Sequence, residues 1–116
     1  MSILERIGTT LKLLGHEITL EYITGFTTDD NLQALSDGEA NKIYVKTKTI
    51  VGDIPESVQV AHIIHEILES INMKMDGYFF GEEGDQKEQR ISILAEIITQ
   101  LLYDNFNDTP LQEETM

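Results

Sequence analysis

His62, His65, Glu66 and Glu69 stand close together in the stretch Gln59-Val60-Ala61-His62-Ile63-Ile64-His65-Glu66-Ile67-Leu68-Glu69-Ser70-Ile71-Asn72. Their spacing suits a metal-binding helix. At about 100° per residue, Val60, Ala61, Ile64, Ile67, Leu68 and Ile71 fall on one side, and the four polar residues share an arc of roughly 100° opposite. His65 and Glu69 lie one helical turn apart, so an imidazole nitrogen and a carboxylate oxygen can converge on one cation. The run His65-Glu66-Ile67-Leu68-Glu69 differs in one residue from H-E-x-x-H, in which two histidines hold zinc and the glutamate between them is the general base. Zinc takes carboxylate oxygen at about the same distance as imidazole nitrogen, roughly 2.0–2.2 Å, so the replacement preserves a ligand while adding negative charge. His62, or an acidic residue between Glu82 and Glu88, would complete the site. Amphipathic helices also carry His and Glu on a solvated face without any ligand role. Spacing alone leaves both readings open.

The chain must position these residues with 116 amino acids, enough for one core and too few for two. Eight basic against twenty-one acidic residues give a formal net charge of −13. That charge repels phosphate backbones and anionic membranes and attracts a basic protein surface. There is no cysteine, so disulfides and thiolate metal sites are excluded and a zinc site must be built from nitrogen and oxygen. Neither a signal peptide nor an apolar stretch of membrane-spanning length is legible, and a cytoplasmic protein is expected.

The first residues suit a short helical turn that Gly8 interrupts. Leu11 and Leu13 before Gly15, and Ile18, Leu20 and Tyr22 after it, alternate as two strands of a hairpin do. A helix across residues 2–14 competes, since Ile3, Ile7, Leu11 and Leu14 also form a helical stripe. His16 is expected in a solvated turn. Residues 25–31 read as a loop, and Asp37-Gly38 between β-formers signals a second hairpin that ends in Lys42–Thr47. There Ile43 and Val45 should face the core, with Lys42, Tyr44 and Lys46 outward and the lysines guarding an edge. Asp53 and Glu56 are spaced as a capping box for the central helix, which should run to about Asn72. A long loop over 73–86 carries Tyr78-Phe79-Phe80. From Lys87 to Asn105, Ile91, Leu94, Ile97, Ile98, Leu101 and Leu102 mark a second amphipathic helix that should pack on the first.

A β-rich half followed by a His-Glu-x-x helix and a second helix resembles the minimal zincin-like proteins encoded by bacteriophages and prophages. The likeness covers most of the chain. It rests on Leu14-Gly15-His16-Glu17-Ile18-Thr19-Leu20-Glu21-Tyr22, Ile43-Tyr44-Val45, His65-Glu66-Ile67-Leu68-Glu69-Ser70-Ile71-Asn72, and Arg90-Ile91-Ser92-Ile93-Leu94-Ala95-Glu96 leading to Leu101-Leu102-Tyr103-Asp104-Asn105. In that family a further histidine just before the last helix looks like the third metal ligand, and the matching position here is Glu88. The resemblance implies an α+β fold, with a small antiparallel β-sheet packed on two amphipathic helices. A single domain over 1–106 and an acidic, disordered tail over 107–116 are expected.

Two functions follow as expectations. The first is a phage-type zinc-binding protein that docks on a host protein with a basic surface, such as a CRISPR nuclease, and inhibits it, with Tyr78, Phe79 and Phe80 as the anchor. It would bind neither nucleic acid nor membrane directly. The alternative is a zinc peptidase with His65 and Glu69 as ligands and Glu66 as general base. Carboxylates in place of histidines weaken zinc as a Lewis acid, which favours the binding protein.

Overall fold

Ser2 starts helix α1 (Ile3–Ile7) with a capping box: its hydroxyl accepts from the Glu5 amide and the Glu5 carboxylate accepts from the Ser2 amide, both at 3.2 Å. The computed structural model describes residues 2–24, 34–37, 41–49, 52–82 and 84–106. Gly8, at φ 64°, ends α1 and turns the chain into strand β1 (Thr10–Leu13). A helix across 2–14 therefore does not form. Leu14 (φ 50°) and Gly15 (φ 82°) connect β1 to β2 (His16–Ile23). Two consecutive positive φ angles make the tight two-residue turn whose twist suits a hairpin, and Leu13 pairs with His16 across it. His16 is exposed there.

Strands β3 (Ala34–Asp37) and β4 (Lys42–Lys46) form the second hairpin. The order across the sheet is β1-β2-β4-β3, with β2 and β4 parallel and the other two pairs antiparallel. The expected all-antiparallel sheet is thus a mixed one. The reason is topological: β3 lies at the outer edge, and the hairpin returns β4 into the place beside β2. Alternating apolar residues look the same in parallel and antiparallel ladders, so the pattern does not distinguish them. The same placement corrects the edge role expected for the lysines, because β4 is an interior strand and Lys46 is buried. Two short strands, β5 (Lys48–Thr49) and β6 (Gly52–Asp53), make a separate ribbon that sequence patterning did not reveal.

Helix α2 (Glu56–Lys74) lies across the sheet, and α3 (Asp85–Phe106) packs along α2. Pro55 is the N-cap of α2 and no side chain caps it, so the Asp53–Glu56 capping box is absent. Instead Gln59 Nε2 donates to Ile54 O (2.8 Å), and Tyr103 donates from the end of α3 to Glu56 in the first turn of α2 (2.8 Å). Burial, and after it the bond to Glu56, pushes the Tyr103 phenol well above its ordinary range.

The core has two adjoining parts. Ile18, Leu20, Ile43 and Val45 pack against Ile63, with Leu11, Leu13, Tyr22 and Ile67 around them. Val60 and Ile64 pack against Ile3 of α1 and Ala95 of α3, with Leu68, Ile98 and Leu102 alongside. One helix serves both, so the apolar arc of α2 is wider than a surface helix needs. Ile63 is completely buried, and truncating such a side chain to alanine costs roughly 2–5 kcal/mol. On α3, Ile91 and Ala95 are buried as an amphipathic helix requires, yet Ile97 and Leu101 of the expected core stripe are exposed. The loop at 25–31, the turn at 38–40 and the tail at 107–116 fall wholly or mainly outside the described residues.

Candidate metal centre

The spacing of His65 and Glu69 along α2 makes them neighbours, and α3 brings Glu88 to the same place from 23 residues along the chain. His65 Nε2 lies 3.2 Å from Glu88 Oε2 and 3.6 Å from Glu69 Oε2. Among the described residues this is the one group of three such side chains able to share an ion. The distances meet a simple test. Two ligand atoms at about 2.05 Å from a tetrahedral zinc ion are roughly 3.3 Å apart, close to both observed separations.

The other carboxylate oxygens are occupied. Lys87 Nζ lies 3.0 Å from Glu69 Oε1 and 3.3 Å from Glu88 Oε1. Its side chain is only 3% exposed, against 23% for Glu69 and 47% for Glu88. The ammonium therefore holds both Oε1 atoms, while both Oε2 atoms face the imidazole. His65 Nδ1 lies 3.4 Å from Ser92 Oγ on α3, a long hydrogen bond on the ring edge away from the carboxylates. Outer contacts of this kind orient metal ligands and set which imidazole nitrogen is free.

The remaining acidic candidates stand apart. Glu82 and Asp85 are exposed and belong to no converging group among the described residues, and Glu83 lies outside them. Glu66 is buried, 8% exposed, and is likewise not in the group. His62 is half-buried beside His65 in a groove of about 350 Å³ between α2 and α3. Its Nδ1 has no hydrogen-bond partner among the described residues. Burial, and after it the nearby His65, holds the His62 imidazole below its ordinary 6.5. The unfolded chain then takes up this proton first, so the stability His62 contributes is present above 6.5 and is lost as pH falls through the depressed value. Thermal unfolding followed from about pH 7 to about pH 5 should therefore show a smaller loss of midpoint in His62→Gln than in the wild-type protein.

Sequence reasoning missed Lys87, although a signal was present. A lysine in the first turn of a helix opposes the helix dipole, so its presence at the third residue of α3 calls for a local anionic partner. It also missed Asn72, which is 4% exposed and organises the loop after α2. Its Oδ1 accepts from Phe80 N (2.8 Å), its Nδ2 donates to Gly81 O (2.9 Å), and its main-chain oxygen accepts from Gly77 N (2.8 Å). Gly77 has φ 79°, and a Cβ there would meet Gly81 O at 3.0 Å, so only glycine closes this loop without a shift. The fastened loop presents Tyr78, 81% exposed, and Phe79, 53% exposed, edge to face at 5.2 Å. Phe80 is half-buried.

No helix among the described residues is long and apolar enough to cross a membrane. In comparisons with known proteins, the chain matches no family model, no curated protein and no solved structure.

Proposed function

We propose that the protein binds one zinc ion through His65, Glu69 and Glu88 on a zincin-like helix pair, and that it acts by docking on a protein partner with a basic surface. The observation that carries this reading is the meeting of one imidazole nitrogen and two carboxylate oxygens at 3.2 and 3.6 Å across α2 and α3. An imidazole among oxygen donors favours zinc over magnesium or calcium, which prefer oxygen alone. Bound zinc would supply a Lewis acid. Around it, Lys87 would hold the two carboxylates in register, and Ser92 would accept the Nδ1 proton of His65 so that Nε2 is free to bind.

Docking is preferred to peptide hydrolysis, the alternative in which Glu66 would serve as general base, on the strength of the surface the protein presents. Two features suit a docking surface. Tyr78 and Phe79 are exposed aromatic side chains on a loop already fastened by Asn72, so little ordering entropy is lost on binding. The −13 charge favours encounter with a positive surface, such as the nucleic-acid groove of a nuclease of the CRISPR class.

The test has two arms. Elemental analysis of protein purified without chelator should give about one zinc per chain, falling to background in His65→Ala; no zinc in the wild-type protein would remove the metal reading. Pull-down from bacterial lysate at low and high salt should retain a nucleic-acid-handling protein that salt releases and that the Tyr78→Ser, Phe79→Ser double variant binds at least tenfold less well, as the loss of a hot-spot pair implies. Equal retention by the variant would remove the docking reading.

A further inference from the structure

The outward face of α3 carries a second pattern, independent of the metal centre. Arg90, Ile93, Ile97, Leu101 and Asp104 follow one another at spacings of three, four, four and three residues. At about 100° per residue all five lie within roughly 40° of Ile97 on the helix wheel. This face points away from the protein: Ile93, Ile97 and Leu101 are 55%, 56% and 57% exposed, whereas Ile91, Ala95 and Thr99, on the other side of α3, are buried. A row of three large aliphatic side chains along an exposed helix is costly to leave in water.

The spacing is symmetric about Ile97, and so is the chemistry. We infer that this face is the interface of a homodimer in which two copies of α3 pack antiparallel about a two-fold axis through Ile97. An isologous contact of this kind needs a surface that complements itself. Turning α3 end over end about Ile97 places Ile97 against its own copy, Ile93 against Leu101 of the second copy, and Arg90 against Asp104 of the second copy. An apolar centre then lies between two ion pairs of opposite sense. Parallel packing would instead set Arg90 against Arg90 and Asp104 against Asp104.

Charge distribution supports a second copy as the occupant. Two chains of −13 repel each other, so an interface between them must be free of uncompensated acid. Of the acidic residues of α3, Asp85, Glu88 and Glu96 lie more than about 80° from the Ile97 direction. Asp104 alone lies on the stripe, seven residues from Ile97, as Arg90 is on the other side. The flanks, at about 60–80°, carry the neutral Gln89, Gln100 and Asn105, together with Leu94 and the buried Lys87, and the neutral Gln86 lies on the stripe at its N-terminal end. A basic partner, which the rest of the surface suits, would find almost no carboxylate here.

Equilibrium sedimentation of the full chain tests this directly. The apparent mass should rise with concentration from 13.1 kDa towards twice that value. Ile97→Asp should remain at the monomer mass at every concentration, with an unchanged far-ultraviolet circular dichroism spectrum, because the side chain it replaces is exposed. Arg90→Asp should weaken association by about tenfold or more, through two like-charged contacts per dimer, and adding Asp104→Arg should restore it. A wild-type protein that stays monomeric to its solubility limit would overturn the proposal, including the case in which residues 107–116 cover the face. A dimer indifferent to Ile97→Asp would overturn it too. Failure of the charge-swapped double variant to recover would remove the antiparallel register.

Discussion

Zinc added to the metal-free protein is expected to raise its thermal midpoint by about 10–20 °C, and the rise should vanish in His65→Ala and in Glu88→Ala. The size follows from mass action. A ligand at about 100 times its dissociation constant, bound only by the folded state, contributes about 2.7 kcal/mol, and about 1 kcal/mol moves the midpoint of a domain near this size by roughly 4–8 °C. The two variants act from different elements: His65 lies on α2 and Glu88 on α3. If zinc bound α2 alone, through His65, Glu69 and His62, Glu88→Ala would still respond to metal. Loss of the response in both variants would place the ion between the helices. The shift should also shrink as the medium is made acidic, because metal and proton compete for Nε2. Differential scanning calorimetry with and without chelator provides the measurement, and no shift in the wild-type protein would defeat the metal assignment.

Lys87→Met should destabilise the metal-free protein by about 2–3 kcal/mol. The ammonium is the cation within reach of both Glu69 and Glu88, at 3.0 and 3.3 Å, and it is almost fully buried. Without it the two carboxylates face each other across His65 with less positive charge between them. Removing one member of a fully buried ion pair costs about 3–5 kcal/mol; the value here is lower because Glu88 is half exposed and water screens it. Zinc should then restore more stability to Lys87→Met than it adds to the wild-type protein, since the ion supplies the missing charge. Chemical denaturation of both proteins, with and without zinc, tests the pair of statements. A variant as stable as the wild type without metal would show that the ammonium does not balance the carboxylates.

The lysine also alters the electrostatic expectation for the centre. Two carboxylates around zinc imply a ligand set that nearly cancels the ion's charge, which is why the sequence alone favours a weak Lewis acid. With Lys87 on the outer oxygens, the surroundings carry one net negative charge rather than two. The preference for docking over hydrolysis therefore rests on the exposed Tyr78 and Phe79 and on the −13 charge, not on a quenched metal.

What the sequence determined by itself was local. The periods of 3.6 and 2 placed the two long helices, both hairpins and the apolar positions Ile18, Leu20, Ile43 and Val45, because helix and strand geometry repeat along the chain and register in neighbouring residues. The His65–Glu69 pair was legible for the same reason, being one turn of one helix. Glu88 was one of several acidic candidates over 82–88 and only the resemblance singled it out, since no spacing along the chain can tell which turn of α3 faces which turn of α2. Tertiary packing decided that, and it brought Lys87 with Glu88 into the same few ångströms. Packing also decided that α2 is covered on two sides, which took Glu66 inside and left His65 and Glu69 partly open. The parallel β2–β4 ladder and the outward turn of Ile97 belong to the same class: an apolar residue records that it avoids water, and only the neighbours the fold supplies determine whether and against what it is buried.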